Sequence, residues 1–101
     1  MAVELILEFE GVTEAEYGAV NKELGIDPNT GEGDWPDGLL VHSAGLSSSG
    51  RFVVIEVWNS QGDQETFMHD RLGEALAKGG ISEPPFSATW IELVAHWDIE
   101  G

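Results

Sequence analysis

Apolar and polar residues alternate from Val3 to Glu10. Val3, Leu5, Leu7 and Phe9 fall on one side and Glu4, Ile6, Glu8 and Glu10 on the other, the period-two signature of a half-buried strand. Thr13 followed by Glu16 has the spacing of a capping box, in which each side chain satisfies a free amide of the other residue. Tyr17, Val20, Asn21 and Leu24 then recur at helical intervals until Gly25, a residue suited to the left-handed position past a helix end. The pattern predicts a helix over about 13–24, and the Gly-, Asp- and Pro-rich stretch that follows predicts a long loop over about 26–38. Gly38 to Leu46 and Arg51 to Asn59 read as strands joined by Ser47-Ser48-Ser49-Gly50. Ser60 or Asp63 can cap a second helix whose apolar stripe is Phe67, Met68, Leu72, Ala75 and Leu76. Gly79 and Gly80 stop that helix, and Pro84 and Pro85 delay a last strand, Ser87 to Trp97, rich in β-branched and aromatic residues.

The βαββαβ order predicts an α+β, ferredoxin-like sandwich over 1–101, with a four-stranded antiparallel sheet and two helices on one face. The other sheet face would then expose apolar side chains, and face-to-face pairing of two sheets in a symmetric homodimer would cover them.

Strand register decides which polar groups meet. A five-residue hairpin loop, Ser47 to Arg51, pairs Leu46 with Phe52 and His42 with Glu56, whereas a four-residue loop sets His42 opposite Ile55. The first register is preferred because it gathers Leu39, Val41, Val53, Ile55 and Val57 on one apolar face. The opposite face then carries His42, Glu56 and Trp58, and the same parity in the last strand puts Trp90, Glu92, Val94 and His96 together. Histidine beside a carboxylate moves protons near neutral pH, and tryptophan faces hold flat apolar ligands. His42 and Glu56 are therefore the candidate catalytic pair, with Trp58, Trp90, His96, Tyr17, Phe67 and Arg71 as candidate substrate contacts. Each also has a plainer reading. His42 and Glu56 can merely satisfy one another at an interface, Trp58 and Trp90 can be packing residues, His69 and His96 can face solvent, and Arg71 can sit in a surface ion pair.

Composition narrows the classes. A chain of 101 residues, 42% of them hydrophobic, suffices for one core. Nineteen Asp and Glu against four Lys and Arg give a formal charge of −15, which leaves no basic patch for nucleic acid and opposes anionic membranes. The lack of cysteine excludes disulfides, thiolate metal sites and thiol nucleophiles. No basic signal-peptide region precedes the first strand, and no apolar run nears the roughly 18 to 20 residues of a membrane span, so a cytoplasmic protein is expected. Asp27-Pro-Asn-Thr-Gly-Glu-Gly-Asp lacks the ligand order and terminal glutamate of a calcium loop. With no local His-x-x-x-His or His-Glu-x-x-His spacing either, no metal is expected.

Val-Ile-Glu-Val-Trp-Asn-Ser at 54–60, followed by Phe67, and Trp-Pro-Asp-Gly-Leu-Leu-Val-His-Ser-Ala-Gly at 35–45 resemble the dimeric α/β-barrel superfamily. Within it the likeness is to the antibiotic-biosynthesis-monooxygenase-like group, in particular its small actinobacterial members. The resemblance implies a homodimer with a pocket between helices and sheet in each protomer. It implies no single reaction, because the group spans cofactor-independent oxygenases of polyketide aromatics, haem-degrading enzymes, lactone isomerases, polyketide cyclases and proteins without known activity. The oxygenase branch pairs the strand tryptophan with an asparagine four residues earlier, where this chain has Val54. The haem-degrading arrangement is not reproduced by Met68-His69-Asp70-Arg71, and four cations are few to receive haem propionates. The expectation is a homodimeric enzyme acting without a cofactor on a flat apolar, polyketide-like or aromatic metabolite, as a monooxygenase by resemblance, with His42 as base and Glu56 orienting it. A cyclase or isomerase would use the same pair without dioxygen, and a non-catalytic ligand-binding or assembly domain would use it only to seal a dimer.

Overall fold

The computed structural model describes residues 2–97 and 99. Four strands, β1 (Val3–Phe9), β2 (Leu39–Leu46), β3 (Phe52–Trp58) and β4 (Ser87–Glu92), form one antiparallel sheet in the order β2-β3-β1-β4. Helix α1 (Glu14–Glu23) links β1 to β2. A second helical arm, built of α2 (Gln61–Phe67), a π-helical turn (Met68–Leu72) and α3 (Gly73–Lys78), links β3 to β4. This is the expected ferredoxin-like α+β arrangement.

The ends of the helices follow from their sequences. Thr13 caps α1 in a complete capping box with Glu16. At the other end the Ile26 amide donates to the Asn21 carbonyl and the Gly25 amide to that of Lys22, the Schellman arrangement, with Gly25 at φ 82°. Ser60, rather than Asp63, caps α2, its hydroxyl accepting from the Asp63 amide. Side chains of one parity, Leu5, Leu7, Phe9, Phe52, Val54 and Trp58, are buried beneath the helices. The other face of the sheet carries Val41, Ile55 and Ile91, each 38–40% exposed.

The preferred register holds. Leu46 pairs with Phe52 and His42 with Glu56. Two expectations are corrected. A bulge lies between Leu39 and Val41, so that Leu39 pairs with Trp58 while Val41 pairs with Val57. The inserted residue reverses the alternation, and Leu39 packs under the helices against the core instead of joining the open apolar face. β4 stops at Glu92 rather than Trp97 because its partner ends: Glu92 lies opposite Val3, the first residue of β1, and just beyond it the Leu93 amide donates to the Ala2 carbonyl. The alternating run continues in sequence without a strand to pair with, leaving Val94 and Trp97 exposed.

Candidate functional site

Between the sheet and the helices lies a cavity of about 110 Å³. Leu7 and Phe9 of β1, Phe52 and Val54 of β3, Leu72 of the π turn and Leu76 of α3 contribute its apolar walls. Its polar groups are few: Tyr17 and Asn21 from α1, His42 from β2, Glu56 from β3, and Glu83 from the connection to β4. No lysine or arginine is among the lining residues.

Three of the polar groups form a chain. Glu56 is 6% exposed, and two donors hold its carboxylate: Trp58 Nε1 at 3.0 Å from Oε1 and His42 Nδ1 at 2.9 Å from Oε2. His42 Nε2 is hydrogen-bonded in turn to the Tyr17 hydroxyl. The Tyr17 ring lies parallel to the imidazole within 8° and packs on Phe52 at 5.1 Å between centroids. Trp35, from the loop after α1, also packs on His42, with centroids 5.0 Å apart and the rings tilted by 46°. With Glu56 ionised, Nδ1 carries the imidazole hydrogen and Nε2 accepts from the phenol. Burial pushes the Tyr17 phenol above its usual value of 10.0; the Asn21 side chain opposes this by hydrogen bonding, and the Glu56 charge adds to it.

Of the residues singled out from sequence, His42, Glu56, Tyr17 and Phe67 line the cavity. Trp58, Trp90, His96 and Arg71 lie outside its lining. Trp58 is fully buried in the core with Val20, Leu24, Ile26 and Phe67, where it anchors Glu56. Trp90 stands opposite Leu5 and packs at the edge of the cluster that holds Leu7, Phe9 and Phe52. His96 is exposed beyond the end of β4. Arg71 donates from Nη2 to the carbonyls of Leu24 at 2.8 Å and Asp34 at 2.7 Å, tying the long loop to the second helical arm. Asn21, Trp35 and Leu39 are cavity residues that the alternation and helical periodicity did not single out as functional. A helical period does place Asn21 beside Tyr17, one turn on. Trp35 stands in an irregular loop, and Leu39 is turned inward by the bulge.

The Asp27 carboxylate of the calcium-like stretch is occupied locally, its Oδ1 accepting from the amides of Asn29 and Thr30. No group of three or more potential metal ligands occurs among the described residues, and no helix among them is long and apolar enough to cross a membrane.

No protein-family model and no curated protein matches the chain. Solved structures do. A protein of Chloroflexus aurantiacus, provisionally described as an antibiotic biosynthesis monooxygenase, superposes with a TM-score of 0.63 at 15% identity, over 96% of this chain and 98% of that one. A Deinococcus radiodurans protein with the same provisional description gives 0.59 at 19% identity over 100% of both chains. A Nitrosomonas europaea protein of unknown function gives 0.58 at 19% identity, over 99% of this chain and 94% of that one. The chain has the fold of antibiotic-biosynthesis-monooxygenase-like proteins. At these identities the likeness is one of architecture, and chemistry has to be argued from the cavity.

Proposed function

We propose that the protein is a small homodimeric enzyme that binds an apolar aromatic metabolite in the cavity and removes a proton from it with the Glu56–His42 pair. The observation that carries this reading is the 2.9 Å contact between His42 Nδ1 and Glu56 Oε2 in an otherwise apolar enclosure. An imidazolium formed there by proton transfer is stabilised by a carboxylate already in place, so little reorganisation is needed at the moment of reaction. Trp58 fixes the other oxygen of that carboxylate and thereby its orientation. With no lysine or arginine to receive an anion, the cavity suits a substrate that arrives uncharged, such as a phenol or enol.

The anion formed in this way is also the species that can pass an electron to dioxygen. The provisional names of two proteins of the same fold favour that continuation, a cofactor-independent oxygenation. A cyclase or isomerase would stop at proton transfer. Dimerisation through the open sheet face is supported by the exposure of Val41, Ile55 and Ile91.

Native mass spectrometry of protein from its own source tests binding. A dimer carrying a reproducible organic mass is expected, and a ligand-free protein whose thermal midpoint depends only on its own concentration contradicts the reading in favour of an assembly role. With the ligand identified, turnover under air and under argon separates oxygenase from isomerase. His42→Gln should lower either activity by about 10²- to 10⁴-fold, and a fully active variant would remove the base assignment.

A further inference from the structure

His42 has no nitrogen left over for a substrate. Nδ1 is bonded to Glu56 and Nε2 to the Tyr17 hydroxyl. The phenol oxygen spends its hydrogen on Nε2 and has two lone pairs, one engaged by the Asn21 side chain that lines the same cavity and one left for a substrate. We infer that Tyr17 is the catalytic residue that meets the substrate: a neutral, single-ring hydroxy compound gives its O–H proton to the Tyr17 oxygen as Tyr17 gives its own to His42 Nε2. This rests on the proton-transfer reading above and names its point of contact.

The transfer balances without any added reagent. The substrate O–H bond breaks as a new O–H bond forms on Tyr17, and the original Tyr17 O–H bond breaks as Nε2–H forms. The products are a substrate oxyanion and an imidazolium held by the Glu56 carboxylate, with no change of oxidation state. Tyr17 is neutral before and after, as its burial favours. Asn21, hydrogen-bonded to the Tyr17 side chain, steadies the phenol at the cavity wall.

The size of the substrate follows from the cavity. An apolar cavity of roughly 150 Å³ accepts benzene, so about 110 Å³, open on one side, matches one ring better than a fused polycycle.

Para-nitrophenol is a suitable probe, because its absorbance reports its ionisation. Bound to the wild-type protein it should show phenolate absorbance about 1–3 pH units below its ionisation in free solution, because His42 takes up its proton through Tyr17 and the imidazolium so formed favours the anion. A nitronaphthol should bind at least tenfold more weakly. Tyr17→Phe, which removes one oxygen, should bind para-nitrophenol without the shift, and His42→Gln should lose the shift as well. A shift retained in Tyr17→Phe overturns the inference and leaves the Glu56–His42 reading standing; one retained in His42→Gln overturns both. Preferential binding of nitronaphthol, or binding of neither probe, overturns the assigned substrate class. Should Tyr17→Phe fail to fold, the wild-type protein still decides. Tyr17 is the sole tyrosine, and its ring resonances must move on addition of para-nitrophenol; unmoved resonances overturn the inference.

Discussion

Glu56 concentrates the site's energetics on one side chain. It accepts from both Trp58 and His42 while almost wholly buried, so its removal strands two donors at once. Glu56→Leu should cost about 2–5 kcal/mol in denaturant unfolding. Glu56→Gln keeps an acceptor for Trp58 and should cost less stability, yet abolish proton abstraction; equal stability losses for the two variants would contradict the pairing. The Tyr17 phenol gives a pH prediction. Its folded-state value is raised above 10.0, so its contribution to stability is complete below the unfolded value and is lost as pH rises through the folded one. Alkaline melting curves of the wild type should therefore fall more steeply above about pH 10 than those of Tyr17→Phe, and the tyrosinate absorbance of this single tyrosine should appear later than that of a free phenol. His42 and Glu56 were legible in the sequence because strand parity and hairpin length place them opposite one another. The partnership with Tyr17 was not, because it joins a helix to a sheet across 25 positions by packing that no local period encodes.

Among the elements, caps and alternation carried most of the fold. Thr13, Ser60 and Gly25 mark helix ends by hydrogen-bond chemistry confined to a few neighbouring residues. The bulge in β2 and the early end of β4 were not legible, since each depends on what a partner strand offers rather than on the strand itself. The bulge matters to the site, because it turns Leu39 to the same side as His42, toward the cavity. The π-helical turn is a second such irregularity, of the kind frequent at functional positions, and it carries Arg71 to two backbone carbonyls on either side of the loop turn. Arg71→Met should speed amide exchange across 25–34 by about tenfold, the effect of losing roughly 1–2 kcal/mol of charge-assisted hydrogen bonding; unchanged exchange would show that the loop is held otherwise. The helices themselves meet closely where Gly79 abuts Val20, and a Cβ there would lie 2.5 Å from Val20 Cγ2. Gly79→Ala should accordingly destabilise by about 1–3 kcal/mol, measured from the denaturant midpoint.

For the whole molecule, the sheet has one face under the helices and one without cover. Ile55, in the middle of that open face on β3, is 38% exposed, so Ile55→Glu should convert the proposed dimer to monomer in sedimentation equilibrium while leaving the cavity intact. A wild-type monomer at micromolar concentration would remove the homodimer. Each protomer carries a formal charge of −15, so association brings like charges together and should tighten as salt screens them. Binding of a small apolar molecule beside His42 is tested by imidazole nitrogen NMR during titration with phenol. The three histidines supply their own controls, because His69 and His96 are exposed and neither lines the cavity. Saturable displacement of the His42 resonances, together with the Asn21 side-chain amide and with His69 and His96 unmoved, is the expected result. An unmoved His42, or equal drift of all three, would contradict the cavity as the binding site.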